Sequence, residues 1–85
     1  MIDRQLAVKV FIRDGWKCRY CGWQNGIDPH HIIFSSHGGK DSMMNLVSLC
    51  RSCHRGVHDG KLKIVGTDAN KELRFEKLDK NWKPQ

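Results

Sequence analysis

Cys50-Arg51-Ser52-Cys53-His54-Arg55-Gly56-Val57-His58, read together with Cys18-Arg19-Tyr20-Cys21, decides the fold of this chain. Each cysteine pair is a C-x-x-C, a spacing with which one tight turn offers two thiolates to a single cation. The two pairs use all four cysteines. Residues 22–49 lie between them, a longer gap than many short zinc ribbons have, so the intervening segment has room for a second task. A redox C-x-x-C would sit in an alternating strand–helix frame, and none is legible here. A disulfide framework would imply secretion. The start, Met1 to Asp14, has its apolar stretch broken by Lys9 and an acid at Asp3, unlike a secretory leader. The expectation is therefore a soluble protein of the reducing cytoplasm, in which Cys18, Cys21, Cys50 and Cys53 hold a structural Zn²⁺.

Size points the same way. Eighty-five residues, 39% hydrophobic, with three Phe, three Trp and one Tyr, make one domain over 1–85 that needs a staple to fold. No run approaches the roughly 20 apolar residues of a membrane span, so no membrane partner is expected. The formal net charge is +6, and it is uneven. Residues 1–63 carry ten Lys/Arg against five Asp/Glu, whereas 64–85 carry five against four. A basic bias concentrated around the cysteines and histidines suits a polyanion partner.

Outward from the cysteines, residues 3 to 14 read as an amphipathic helix with Asp3 as N-cap, an Ile2/Leu6/Val10 stripe and Gly15 as the stop. Asp28 to Phe34 reads as a short strand with Pro29 at its start. Asp28 itself either starts that strand or orients a histidine. Residues 35 to 44 have loop composition, Asn45 to Leu49 form a second strand, and Arg51 to His58 form a helix closing near Gly60. A hairpin follows over 61–78, with Leu62/Ile64 on one strand and Leu73/Phe75 on the other. The tail, 79–85, has no pattern and is expected to be loose. Trp16, Tyr20 and Trp23 surround the first knuckle and are expected to pack over the zinc rather than stack on bases.

All five histidines lie between residues 30 and 58. His54 and His58 stand i, i+4 on the helix, so both point one way and can chelate a single ion, about a quarter turn from Cys53. His30 and His31 lie on the preceding strand. Adjacent strand residues face opposite sides, so the two meet the same ion only if the strand twists or bends there. His37 reads as loop surface. Lys40, Arg51 and Arg55 flank these elements and are the candidate phosphate contacts.

C-x-x-C, then His-His-Ile, a Gly-Gly loop, and Asn-Leu-Val-x-Leu-Cys-x-x-Cys-His, over residues 13 to 58, resembles the HNH endonucleases, part of the ββα-metal (His-Me finger) nucleases. The resemblance implies a small zinc-stabilised α+β domain, treble-clef-like, with motif core 13–60 between an N-terminal helix and a C-terminal β-hairpin. It also implies His31 as general base, Asn45 as the residue that fastens the loop and orients His31, and His54 as ligand of a catalytic metal. The doublet His30-His31 together with His54-x-x-x-His58 is similar to the histidine-rich variant of colicin-type nucleases, which implies His30, His54 and His58 as ligands. Three imidazoles suit Mn²⁺, Co²⁺, Ni²⁺ or Zn²⁺ better than Mg²⁺. The expected activity is hydrolysis of DNA phosphodiesters, RNA being a further possible substrate, to a 5′-phosphate and a 3′-hydroxyl. A single site nicks, so a monomer or weak dimer is expected, in a phage, mobile-element or restriction setting. The alternative is a zinc module that binds nucleic acid without cutting it, and a third class is a purely structural zinc module.

Overall fold

The computed structural model describes residues 2–84. Helix α1, Arg4–Arg13, is followed by strand β1, Ile27–His31, strand β2, Leu46–Cys50, helix α2, Arg51–His58, and strands β3, Leu62–Val65, and β4, Arg74–Lys77. Strands β1 and β2 pair antiparallel, with His30 opposite Val47 and His31 opposite Leu46. Strands β3 and β4 form a second antiparallel hairpin, Ile64 opposite Phe75. The domain is α+β, and β1, β2 and α2 with the clustered cysteines form the ββα-metal arrangement. Among the described residues no helix is long and apolar enough to cross a membrane.

Several expectations need correction. Asp3 precedes α1 but its side chain makes no capping hydrogen bond. Gly15, by contrast, is the stop: at φ +71° it follows the Asp14 cap, its N–H donates to the Ile12 carbonyl and the Trp16 N–H to that of Phe11. Strand β1 ends at His31 rather than Phe34. The Asn45 side chain takes both the N–H and the C=O of Ile33, which removes the groups a longer ladder would need. Pro29 sits mid-strand, opposite Ser48, rather than at the start. That position tolerates it because Ser48 turns its N–H to Asp14 Oδ2 (2.9 Å) and its C=O to Arg19 N–H (2.9 Å), away from β1.

The core is small and partly sulfur: Cys18, Val47, Leu49, Cys50, Cys53, Leu62 and Ala69. All five residues of β2 are buried, as a strand covered on both faces must be. The segment 79–84 makes tertiary contacts at Trp82 and Asp79. Trp82 packs on the core beside Tyr20, over Gly56, where a Cβ would collide with the indole ring. Lys61 Nζ donates to Asp79 Oδ2 at 3.3 Å at the base of that turn. Gln85 lies outside the described residues. Of the three aromatics around the first knuckle only Tyr20 packs inward, against Phe75 at 5.1 Å. Trp16 and Trp23 are about half and more than half exposed, at 50% and 57%.

Asp14 ties the N-terminal helix to the rest. Its carboxylate accepts from Arg13 (2.8 and 3.0 Å), Arg19 (2.8 Å) and the Ser48 N–H. Arg13 continues to the Met43 and Leu46 carbonyls, and Arg19 to those of Ala69 and Lys71. Burial alone would push the Asp14 carboxyl up, but Arg13, Ser48 and Arg19 outweigh it and hold the group below its usual range. A carboxylate with a depressed folded-state pKa stabilises above its unfolded pKa of about 4 and loses that contribution as pH falls through the folded value. Asp14→Asn is expected to cost about 2–4 kcal/mol at neutral pH and to flatten the acid limb of stability below about pH 4. Urea melts of both proteins over a pH series would test it; equal losses at pH 7 and pH 2 would refute it.

Candidate metal centres and nuclease site

The four thiols converge. Cys18 and Cys21 come from the knuckle before β1, where Gly22, at φ +81°, turns the chain and donates to the Cys18 carbonyl at 3.0 Å. Cys50 ends β2, and Cys53 lies in the first turn of α2. The Cys50 sulfur caps that helix by accepting the Cys53 N–H at 3.4 Å. All four Sγ atoms lie within 4.8 Å of one another and none is in a disulfide. Cys21 Sγ is 3.6 Å from Cys50 Sγ. A tetrahedral site with metal–sulfur bonds of about 2.3 Å has edges of about 3.8 Å, so the thiols fit a metal ion. Without one they share protons unequally. The Cys53 thiol donates to Cys18 and pushes it down to about 4 against burial, while hydrogen bonding to Cys18 and burial push Cys53 up. A divalent cation removes that mutual repulsion.

The second cluster lies on the next face of α2. His30 is buried, at 3% exposed, and its Nδ1 is 3.2 Å from His54 Nδ1. His58 stacks along His54, with ring centroids 5.0 Å apart and planes 19° apart, and its ring is 6.2 Å from that of His30. Phe34, which the sequence did not single out, lies parallel to His58 at 5.6 Å and edge-on to His30. The rings line a cavity of about 280 Å³ that His31 also borders. Both members of the doublet reach one pocket because β1 ends at His31, which frees that residue from strict alternation. The three candidate ligands are gathered on one pocket but not closed on a point, for the described residues hold one group of three or more ligand atoms mutually within 4.8 Å, the thiols.

The electrostatics suit a cation. Burial first, then His54, His58 and His31, pushes His30 down to about 3. Burial and His58 lower His54, opposed by Asp28. Both rings are therefore neutral at pH 7 and can offer lone pairs. Two facing Nδ1 atoms at 3.2 Å need a proton or a cation between them, and His30 Nε2 is buried with no hydrogen-bond partner. The nitrogen donors of these rings are of a kind that suits a metal ion.

Asn45, 6% exposed, bonds the Ile33 N–H (2.8 Å), the Ile33 C=O (3.0 Å) and the Lys40 C=O (2.9 Å). It ties the loop that begins beside His31. His31 Nε2 lies 2.6 Å from Asp41 Oδ1, a partner ten positions away that no periodicity would reveal. Asp28 is exposed, and its part is the charge it presents to His54. His37 is exposed at the end of a 3-10 turn. Lys40, Arg51 and Arg55 are exposed. The two arginines do not enter the histidine pocket; they line a separate groove of about 410 Å³ with Asn81, Trp82 and Lys83.

A ββα-metal fold with a four-thiol site and a histidine pocket on one helix defines a class of nuclease domain. The model of the HNH endonuclease family matches residues 18–60, and the chain belongs to that family. It is 38% identical over 62 residues to Anaredoxin of Nostoc sp., covering 72% of this chain and 82% of that protein. It is 32% identical over 80 residues to the type IV methyl-directed restriction enzyme EcoKMcrA of Escherichia coli, covering 71% of this chain. It is 28% identical over 75 residues to YoqL, an SPbeta prophage-derived protein of Bacillus subtilis named among the HNH endonucleases, covering 73% of this chain. The chain spans 29% and 32% of the length of those two relatives.

Proposed function

We propose that this domain is a metal-dependent endonuclease that hydrolyses DNA phosphodiesters, nicking as a monomer in the cytoplasm of a phage- or mobile-element-bearing host. The observation that carries the reading is the approach of His30 and His54 Nδ1 at 3.2 Å, beside His58 and in the pocket that His31 borders. His31 takes the proton of the attacking water as general base, a role imidazole commonly fills. Asn45 holds the loop so that the His31 ring keeps its orientation. His30, His54 and His58 would hold a divalent cation, with Mn²⁺, Ni²⁺, Co²⁺ or Zn²⁺ preferred over Mg²⁺ by nitrogen donors. Such a cation, when bound, supplies positive charge to the phosphorane and the departing 3′-oxygen. Zn²⁺ at Cys18, Cys21, Cys50 and Cys53 is structural. Lys40, Arg51 and Arg55 contact phosphates flanking the scissile one, leaving a 5′-phosphate and a 3′-hydroxyl.

Incubation of supercoiled plasmid with the protein and Mn²⁺, Ni²⁺ or Mg²⁺ is expected to yield nicked circles, more with the first two, and a single-stranded RNA run in parallel is expected to be cut more slowly. DNA retained in a gel shift but uncut with every ion would instead establish a non-catalytic binding module. The Nostoc relative, 82% covered, bears a name built on redoxin, which makes thiol redox chemistry the second reading. Metal analysis separates the two: one Zn²⁺ per chain supports the structural site, whereas metal-free protein cycling between thiol and disulfide supports the redox one.

A further inference from the structure

The loop between β1 and β2 is built so that it carries one more side chain to His31. Asn45 grips it at both ends, at Ile33 and at the Lys40 carbonyl. Between those grips the chain folds back on itself so closely that a Cβ at Gly39 would collide with the Ile33 carbonyl oxygen, while Gly39 N–H donates to the Phe34 carbonyl at 2.9 Å. Gly38 makes the reversal at φ +86°. The residue immediately past the gripped carbonyl is Asp41, and its Oδ1 stands 2.6 Å from His31 Nε2.

We propose that Asp41 is a positioning residue: it accepts the Nε2 proton of His31 and so fixes the tautomer whose Nδ1 lone pair is free. This rests on the reading of His31 as the base. An ionised carboxylate has no proton to give, so the hydrogen in that short contact belongs to the imidazole. A neutral ring holds one N–H, and committing it to Nε2 leaves Nδ1 as the only acceptor. In the hydrolysis, the O–H bond of water breaks and its proton goes to Nδ1, the oxygen bonds to phosphorus, and the P–O3′ bond breaks with its electron pair staying on oxygen, which is protonated from solvent. The imidazolium so formed lies against a carboxylate that stays ionised. The pair is exposed, 21% on His31 and 43% on Asp41, so its contribution is direction rather than fold stability.

The test compares Asp41→Asn and Asp41→Glu with wild type and with His31→Ala, measuring single-turnover plasmid nicking in Mn²⁺, DNA affinity, thermal melting and the ¹⁵N shifts of the His31 ring at about pH 8, where an ordinary imidazole is neutral. Asn can donate as readily as accept, so Asp41→Asn is expected to slow nicking about 10- to 100-fold with affinity and melting unchanged. The ring should shift from the Nε2–H tautomer to a mixture, and Asp41→Glu should restore most of the rate. Wild-type nicking by Asp41→Asn, or a slowed rate with the tautomer unmoved, overturns the proposal. Failure of the underlying reading looks different: His31→Ala would then still cut.

Discussion

Cys53→Ser is expected to leave the chain unfolded at room temperature. Its sulfur is fully buried, belongs to the four-thiol cluster, and shares the core with Val47, Leu49 and Leu62. A domain of 85 residues has only about 4–13 kcal/mol of total stability by typical per-residue values. A structural zinc in a small domain contributes about 10–16 kcal/mol of binding free energy, which is folding free energy when the unfolded chain offers no site. Losing one ligand of four removes a large share of that, and the remaining apolar core is too small to replace it. Cys21, whose side chain reaches the surface, is expected to suffer less from the same change, because water can take the vacated position. Circular dichroism, amide dispersion and metal content would check both variants. A Cys53→Ser protein that melts like wild type while carrying no metal would end the structural-metal reading.

His31→Ala is expected to abolish nicking while leaving fold, melting temperature and zinc content as they were. The ring lies outside the core and, among the described residues, its side-chain hydrogen-bond partner is Asp41. Its removal therefore belongs with surface substitutions, within about 0.5 kcal/mol. A positioned general base contributes about 10²–10⁴-fold to rate, so single-turnover nicking should fall by that factor or more. The contrast with Cys53 is the informative part: one substitution removes activity with structure intact, the other removes both. Residual cleavage within about threefold of wild type would transfer the role of base elsewhere.

The parts of this molecule that the sequence disclosed are those with local rules. Helix α2 runs over Arg51–His58, as the i, i+4 spacing of His54 and His58 suggests, because residues four apart share one face of a helix. The terminal hairpin follows from the alternation of Leu62/Ile64 with Leu73/Phe75. What the sequence hid is non-local. Trp82 stands alone in an unpatterned tail, and its place on the core depends on the absence of a side chain at Gly56, 26 positions earlier. Asp14 reads as the end of a helix, yet it bonds a strand residue 34 positions on. The His31–Asp41 contact depends on how a loop closes, which neither a 3.6 nor a 2.0 periodicity encodes. Strand β1 is shorter than its pattern suggests for a related reason: a side chain, Asn45, competes for backbone groups that the pattern of Ile32-Ile33-Phe34 assigns to a sheet.

Helix α2 carries Cys53 on one flank, His54 and His58 on the next, and Arg51 and Arg55 beyond them. The separation between the thiol cluster and the histidine pocket is consequently set by one unbroken piece of backbone with no joint to flex. A ligand in the pocket would leave the spacing of these groups unchanged. Its point of leverage is the opposite wall of the pocket, the Phe34–Ser36 turn and the glycine loop behind it, and compounds meant to modulate such a domain should be sought there.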